Sequence, residues 1–278
     1  MNALEALADR MKVTAVCAGI DPDISAMPAQ FREDGQTPEE GVWSFLIRYI
    51  ELVAGHVCAF KVQKAFFDKL AGGQLLLEAV IRHIHGTYPG LMVFVDCKIG
   101  DTGNTMEAYR ENLFGILRAD GVVANPYMGD EAIMPLAAQK EKAVLVLVRT
   151  SNPGAAIIQD VRLADRRMLW QHVLDQVVRR WNDRGNLVPI LSSTDGFDHS
   201  ATRSGLPQTM PILLAGVGAQ GGSLENFRLL LNEERSGVFV NSSRELMYPT
   251  VLPGQSWEGA VEQAVQLLKG SLNERRAA

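Results

Sequence analysis

Apolar runs rich in β-branched residues recur eight times along the chain, each closing on polar or turn-forming residues. They cover Val13–Ile20, Val57–Val62, Leu91–Lys98, Gly121–Pro126, Ala143–Thr150, Leu187–Thr194, Pro211–Val217 and Gly237–Arg244. Most are nearly continuous rather than alternating, the pattern of parallel strands covered on both faces. Between them, segments near 39–54, 68–86, 103–118, 130–139, 161–184, 222–232 and 256–272 repeat their apolar positions at the helical spacing. The gap from His199 to Gly205 has room only for a short helix. Strand and helix alternating eight times predicts an α/β fold, a (β/α)8 TIM barrel, as one domain over residues 1–278. Periodicity alone leaves a doubly wound sheet as the alternative. MNALEALADRMK reads as a short amphipathic N-terminal helix, and the charged tail LNERRAA is expected to fray.

Composition removes several function classes. The 278 residues hold 27 Lys+Arg against 32 Asp+Glu, a net charge of −5, so no basic excess exists to neutralise nucleic acid or an anionic membrane. With 47% hydrophobic residues the chain can build a sizeable core. No apolar run approaches the ~20 residues that span a bilayer. The N-terminus lacks the apolar block and cleavage site of a signal peptide. The three cysteines, Cys17, Cys58 and Cys97, cannot all pair and sit in apolar stretches, which predicts reduced, buried thiols. These features together predict a soluble cytoplasmic protein with no nucleic-acid or membrane partner.

In such a barrel the chemistry sits at the C-terminal ends of the strands. Polar residues gather there: Asp21; Lys61 and Gln63; Asp96, Lys98 and, just beyond, Asp101; Asn125; Arg149 to Asn152; Gly216–Gly222 with Gln220; and Arg244. Asp96 and Lys98 stand two apart in VFVDCKIGDTGNT, so on a regular strand both point to one face. Such a pair inside an apolar run is either a buried structural salt bridge or part of a site. Lys61, in the equally apolar CAFKVQ, favours the site. Two lysines and two aspartates would then alternate, with each opposite pair at ~4 Å attracting by about 4 kcal/mol at an effective dielectric of ~20.

Gly216, Gly218 and Gly221 satisfy G-x-G-x-x-G, the dinucleotide-binding spacing. The motif follows the seventh predicted strand rather than the first, and Glu233 and Glu234 precede the next strand instead of ending it, so that reading fails. The better reading is a phosphate cup after strands 7 and 8: glycine N–H groups, the Gln220 amide and the Arg244 guanidinium. No histidines stand at metal-ligand spacing, and His83 and His85 read as a solvated helix face.

The chain resembles the orotidine 5′-phosphate decarboxylase family, most closely its bacterial type 2 branch. The resemblance rests on AGIDPD ending at Asp23, FKVQKAFFD at 60–68, DCKIGDTGNT at 96–105, ANPYMGDEAI at 124–133, VRTSNPGA at 148–155, GVGAQGG at 216–222 and NSSRELMYP at 241–249. It implies loss of CO2 from C6 of orotidine 5′-monophosphate to give UMP, the last step of de novo pyrimidine synthesis. It further implies a homodimer with shared active sites, and no metal or organic cofactor. By motif, Lys61, Asp96 and Lys98 would serve one subunit while Asp101 and Thr105 reach into the partner's site. Asp21, Lys61 and Gln63 would lie near the ribose, Thr150 and Ser151 near the pyrimidine, and Gln220 with Arg244 at the phosphate. Thr102 stands where the family usually has an apolar residue, and STDGFDHSATRSG departs from the family pattern and takes no role. The D-x-K-x-x-D core is shared with metal-dependent sugar-phosphate decarboxylases and aldolases of the same suprafamily. Those and a non-catalytic nucleotide-binding barrel are the alternatives.

Overall fold

The computed structural model describes residues 3–32, 37–194, 196–217 and 222–277. Within them eight parallel strands, paired in sequence order and β8 back on β1, close a barrel. The strands are β1 Val16–Ile20, β2 Ala59–Gln63, β3 Met92–Ile99, β4 Gly121–Ala124, β5 Ala143–Leu147, β6 Leu187–Ser192, β7 Ile212–Ala215 and β8 Val238–Ser242. The helices are α1 Ala3–Met11, α2 Pro38–Val53, α3 Lys64–Asp68, α4 Gly73–Thr87, α5 Gly103–Arg110, α6 Asp130–Ala137, α7 Ala155–Gln159, α8 Leu169–Gln176, α9 His199–Ser204, α10 Glu225–Leu229, α11 Arg244–Met247 and α12 Trp257–Ala277. This is the (β/α)8 barrel that the alternation predicts.

Local chemistry explains several boundaries. Thr37 and Glu40 form a reciprocal capping box ahead of α2, with Pro38 in its first turn. Val13 is 62% exposed and stays outside β1 despite its apolar run. The helix expected over 161–184 starts only at Leu169. Before it, Arg162 and Met168 form an antiparallel bridge around a turn in which Asp165 accepts the Arg167 N–H at 3.0 Å and Arg166 takes a φ of +71°. The helix expected over 68–86 forms as α4 but starts only at Gly73; a separate short helix, α3, precedes it and ends at Asp68. The C-terminal tail does not fray as expected. It continues α12, because Leu272 is buried and Arg276 donates to the Met11 carbonyl at 2.6 Å.

Two cores result. One fills the space between the strands and the outer helices. The other lies inside the barrel, where Leu7 and Met11 of α1 pack with Cys17, Cys58, Phe94 and Phe239. α1 thereby stoppers the N-terminal end of the barrel, leaving the opposite end to form a cup. All three cysteines are free, and burial pushes the Cys58 thiol up to about 12. His83 and His85 are half-buried rather than solvated. His83 packs edge-on to Trp43, and His85 meets the Asp120 carboxylate at 2.8 Å.

Candidate active site

β2 and β3 carry the charged centre. In register, Gln63 lies beside Asp96 and Lys61 beside Phe94, one pleat period lower. The long Lys61 stem makes up the difference, and Nζ reaches Asp96 Oδ2 at 2.7 Å. Lys98 Nζ takes the other oxygen, Oδ1, also at 2.7 Å. One carboxylate is thus held between two ammonium groups.

Lys98 lies within β3 but not in the regular geometry that the two-residue spacing assumes. Its φ is +46°, left-handed backbone that a side chain seldom adopts, and the β3–β4 register slips between Val95 and Ile99. Gly100 permits the bulge, since a Cβ there would fall 2.6 Å from the Asn125 carbonyl oxygen. Strain of this kind, of order 1–3 kcal/mol, persists where surrounding structure over-determines it. Here it brings a lysine whose side chain is 48% exposed back onto a carboxylate that is only 7% exposed.

Electrostatics keeps this pair ionised. Burial alone would push the Asp96 carboxyl up, but Lys61 and Lys98 outweigh it and hold Asp96 below its ordinary range. Burial likewise works against the Lys61 charge, and Asp96 with Asp21 reverses it, holding the amine above its ordinary range. Asp21 is the exception. Burial outweighs Lys61, so its carboxyl lies above the ordinary range, and its Oδ1 is buried with no hydrogen-bond partner. A folded-state pKa above the unfolded one means the charged form costs stability at neutral pH, a cost that fades as the pH falls through both values. Asp21→Asn is therefore expected to raise Tm by about 2 °C, the yield of ~0.5–1 kcal/mol in a chain this long, read by thermal denaturation at pH 7.

Asp21, Lys61, Gln63, Asp96 and Lys98 line a cup of about 670 Å³ together with Thr150, Ser151 and Arg244. These are the residues that the strand-end rule singles out, collected from β1, β2, β3, β5 and β8. Gln220 lies outside the described residues. Asp101 and Thr105 do not line the cup of their own chain. Asp101 accepts the Thr102 N–H at 2.8 Å, and Thr105 faces a second groove of about 780 Å³ that shares Asp96 and Lys98 with the cup. Among the described residues no three His, Cys, Asp or Glu side chains gather as metal ligands would.

The loop leaving β7 is closed at its base by Gly222, whose N–H donates to the Gly216 carbonyl at 3.0 Å. A Cβ on Gly222 would lie 1.7 Å from Ser193 Oγ, so only glycine fits. Arg244, opening α11, faces the cup from the adjacent strand end.

The model of the Orotidine 5'-phosphate decarboxylase / HUMPS family matches residues 14–246. The chain belongs to that family. It is 34% identical over 278 residues to the orotidine 5'-phosphate decarboxylase of Azoarcus sp. (strain BH72), covering 99% of each chain. Among solved structures, Leishmania donovani OMP decarboxylase superposes with a TM-score of 0.85 at 29% identity, covering 100% of both chains. Leishmania donovani UMP synthase does so with a TM-score of 0.86 at 30% identity, this chain spanning 57% of that longer one.

Against that membership, sequence reasoning missed two kinds of residue. Gln159, Asn241 and Glu245 also line the cup, none carrying a charge inside an apolar run that would single it out. Tyr248 accepts the Asp23 N–H at 2.6 Å and donates to the Asp21 carbonyl at 3.2 Å, tying the end of β1 to the segment after β8.

Proposed function

We propose that the chain removes CO2 from C6 of orotidine 5′-monophosphate to give UMP, completing de novo pyrimidine synthesis. The observation that carries the reading is the Asp96 carboxylate bridged at 2.7 Å by both Lys61 and Lys98 inside the cup. Losing CO2 from a vinylic carbon leaves an electron pair in the ring plane, where no π system delocalises it. Preorganised charge must then stabilise it. Lys98, its amine at the open side of the pair, stabilises the C6 carbanion and then protonates it. Asp96 crowds the departing carboxylate while orienting Lys98. Its negative charge faces the substrate's own, an unfavourable contact that disappears as CO2 leaves.

The remaining roles follow the same cup. Asp21 and Gln63 take the ribose hydroxyls, Thr150 and Ser151 the pyrimidine edge, and Arg244 the phosphate, where resemblance alone adds Gln220. Phosphate binding far from the breaking bond can still serve the rate by closing the site. Arg244→Ala is expected to cost about 2–4 kcal/mol in kcat/KM for the nucleotide. Decarboxylation of the phosphate-free nucleoside should be nearly unaffected, and an equal loss there would reassign Arg244.

The active unit is a homodimer in which Asp101 and Thr105 complete the partner's site. Two features support this: both residues lie off their own cup, and α5, which carries Thr105, packs against α6, where Met134 and, in the turn before it, Tyr127 and Met128 are exposed. A cytoplasmic location suits a phosphorylated metabolite as substrate, and no described helix is long and apolar enough to cross a membrane.

Incubating the protein with orotidine 5′-monophosphate and following its ultraviolet absorbance tests the activity directly. Turnover is expected to survive excess EDTA, since every charge assigned to the carbanion is an amine. Loss of turnover on chelation would instead favour a metal-dependent sugar-phosphate reaction of the same family.

A further inference from the structure

The loop after β5 is drawn shut by one amide side chain. Gln159, closing α7, accepts the Thr150 N–H on Oε1 at 2.9 Å and donates from Nε2 to Thr150 Oγ1 at 2.9 Å. Thr150 Oγ1 in turn donates to Asn152 Oδ1 at 2.7 Å. The stem is fixed by Arg149, which meets both oxygens of Asp160 at 2.9 and 3.0 Å and donates to the Thr150 carbonyl at 2.5 Å.

A hydroxyl has one hydrogen and two lone pairs. In Thr150 the hydrogen goes to Asn152 and one lone pair to Gln159, leaving a single lone pair on a side chain that lines the cup. Turning the hydrogen to Gln159 Oε1, at 3.3 Å, still leaves no hydrogen for a ligand. We infer that Gln159 is a positioning residue that fixes the Thr150 hydroxyl as a hydrogen-bond acceptor, so that the pocket selects a uracil-type ring edge, which offers N–H, over a cytosine-type edge, which offers a bare nitrogen. The inference rests on the reading of Thr150 as a neighbour of the pyrimidine. A site whose oriented polar group is left facing another acceptor discriminates against that ligand, because the group loses its bond once the ligand excludes water. Gln159 acts through Thr150 rather than on the substrate.

The test measures UMP and CMP as competitive inhibitors of orotidine 5′-monophosphate turnover. The unaltered protein is expected to prefer UMP. Gln159→Met keeps the bulk and removes both amide bonds, and the preference for UMP should fall about tenfold or more. Thr150→Val should lose as much, and the double variant no more than either single one, because both remove the same oriented acceptor. If Gln159→Met fails to fold, Gln159→Ala reads the same quantity. Inhibition by ribose 5-phosphate, which lacks the ring, should not change in any variant, whereas a merely structural role for Gln159 would weaken it too. An undiminished preference in the Gln159 variants, or full additivity in the double variant, overturns the inference. Turnover by the unaltered protein without any UMP preference overturns it while leaving the reaction assigned. Absence of turnover removes the reading of the site and the inference with it.

Discussion

Lys98→Ala protein is expected to fold normally and to lose turnover by about 10⁴-fold or more. Two contributions multiply: a preorganised charge at a developing anion is worth ~10²–10³ in rate, and a positioned proton donor another ~10²–10⁴. Folding should survive because the Lys98 ammonium is half-exposed, a setting in which an ion pair contributes about 1 kcal/mol or less. Asp96 keeps Lys61 on its other oxygen. Asp96→Ala should behave differently. It strips the Lys61 side chain, 9% exposed, of its direct ion-pair partner and leaves only Asp21 nearby, a defect of about 3 kcal/mol. Tm should then drop by roughly 10 °C, and activity and stability fall together. Single-turnover absorbance and thermal denaturation of both variants check the contrast. More than about 1% residual turnover in Lys98→Ala would remove the lysine from the chemical step.

The contrast arises from the bulge at Lys98, which the sequence does not display. A two-residue spacing puts Asp96 and Lys98 on one face of a regular strand, which correctly brings them together but not for the stated reason. The contact at 2.7 Å is made through left-handed backbone and a register slip. Hydrophobic periodicity reports which face is buried and is blind to an extra residue where the apolar run has already ended. The nearest visible sign was Gly100, required by the Asn125 carbonyl. The barrel itself was legible because its eight apolar runs are buried on both sides, so every strand announces itself without alternation. The segment 161–168 was not, since Val161, Ala164 and Met168 share helical spacing while Asp165 and Arg166 make a turn.

The cup shows the same division. Asp21, Lys61, Gln63, Thr150, Ser151 and Arg244 follow from the rule that strand ends carry the chemistry, and all line the cup. Gln159 stands nine positions beyond Thr150 in a five-residue helix, too short to carry a period, so its contact with Thr150 emerges only when the loop folds back. Asp101 and Thr105 lie on the far side of the bulge from the cup that their own chain builds, and no periodic pattern could assign them to another copy. The role proposed for them was reachable only through resemblance.

Mixing two inactive proteins tests that role most sharply. Asp101→Ala protein alone should be nearly inactive, as should Lys98→Ala alone. If each site draws Lys98 from one subunit and Asp101 from the other, a heterodimer concentrates both defects in one site and leaves the second intact. Random exchange at equal concentrations makes half the dimers mixed, and each carries one good site of two. About a quarter of normal turnover should therefore return. The recovered activity should have the KM of the unaltered protein, because the surviving site has no altered residue. Subunit exchange itself is followed independently, by mass spectrometry of an isotopically labelled variant. Were exchange complete and turnover still absent, Asp101 would act within its own chain, reaching its cup by a movement of the Gly100–Thr102 turn rather than across an interface.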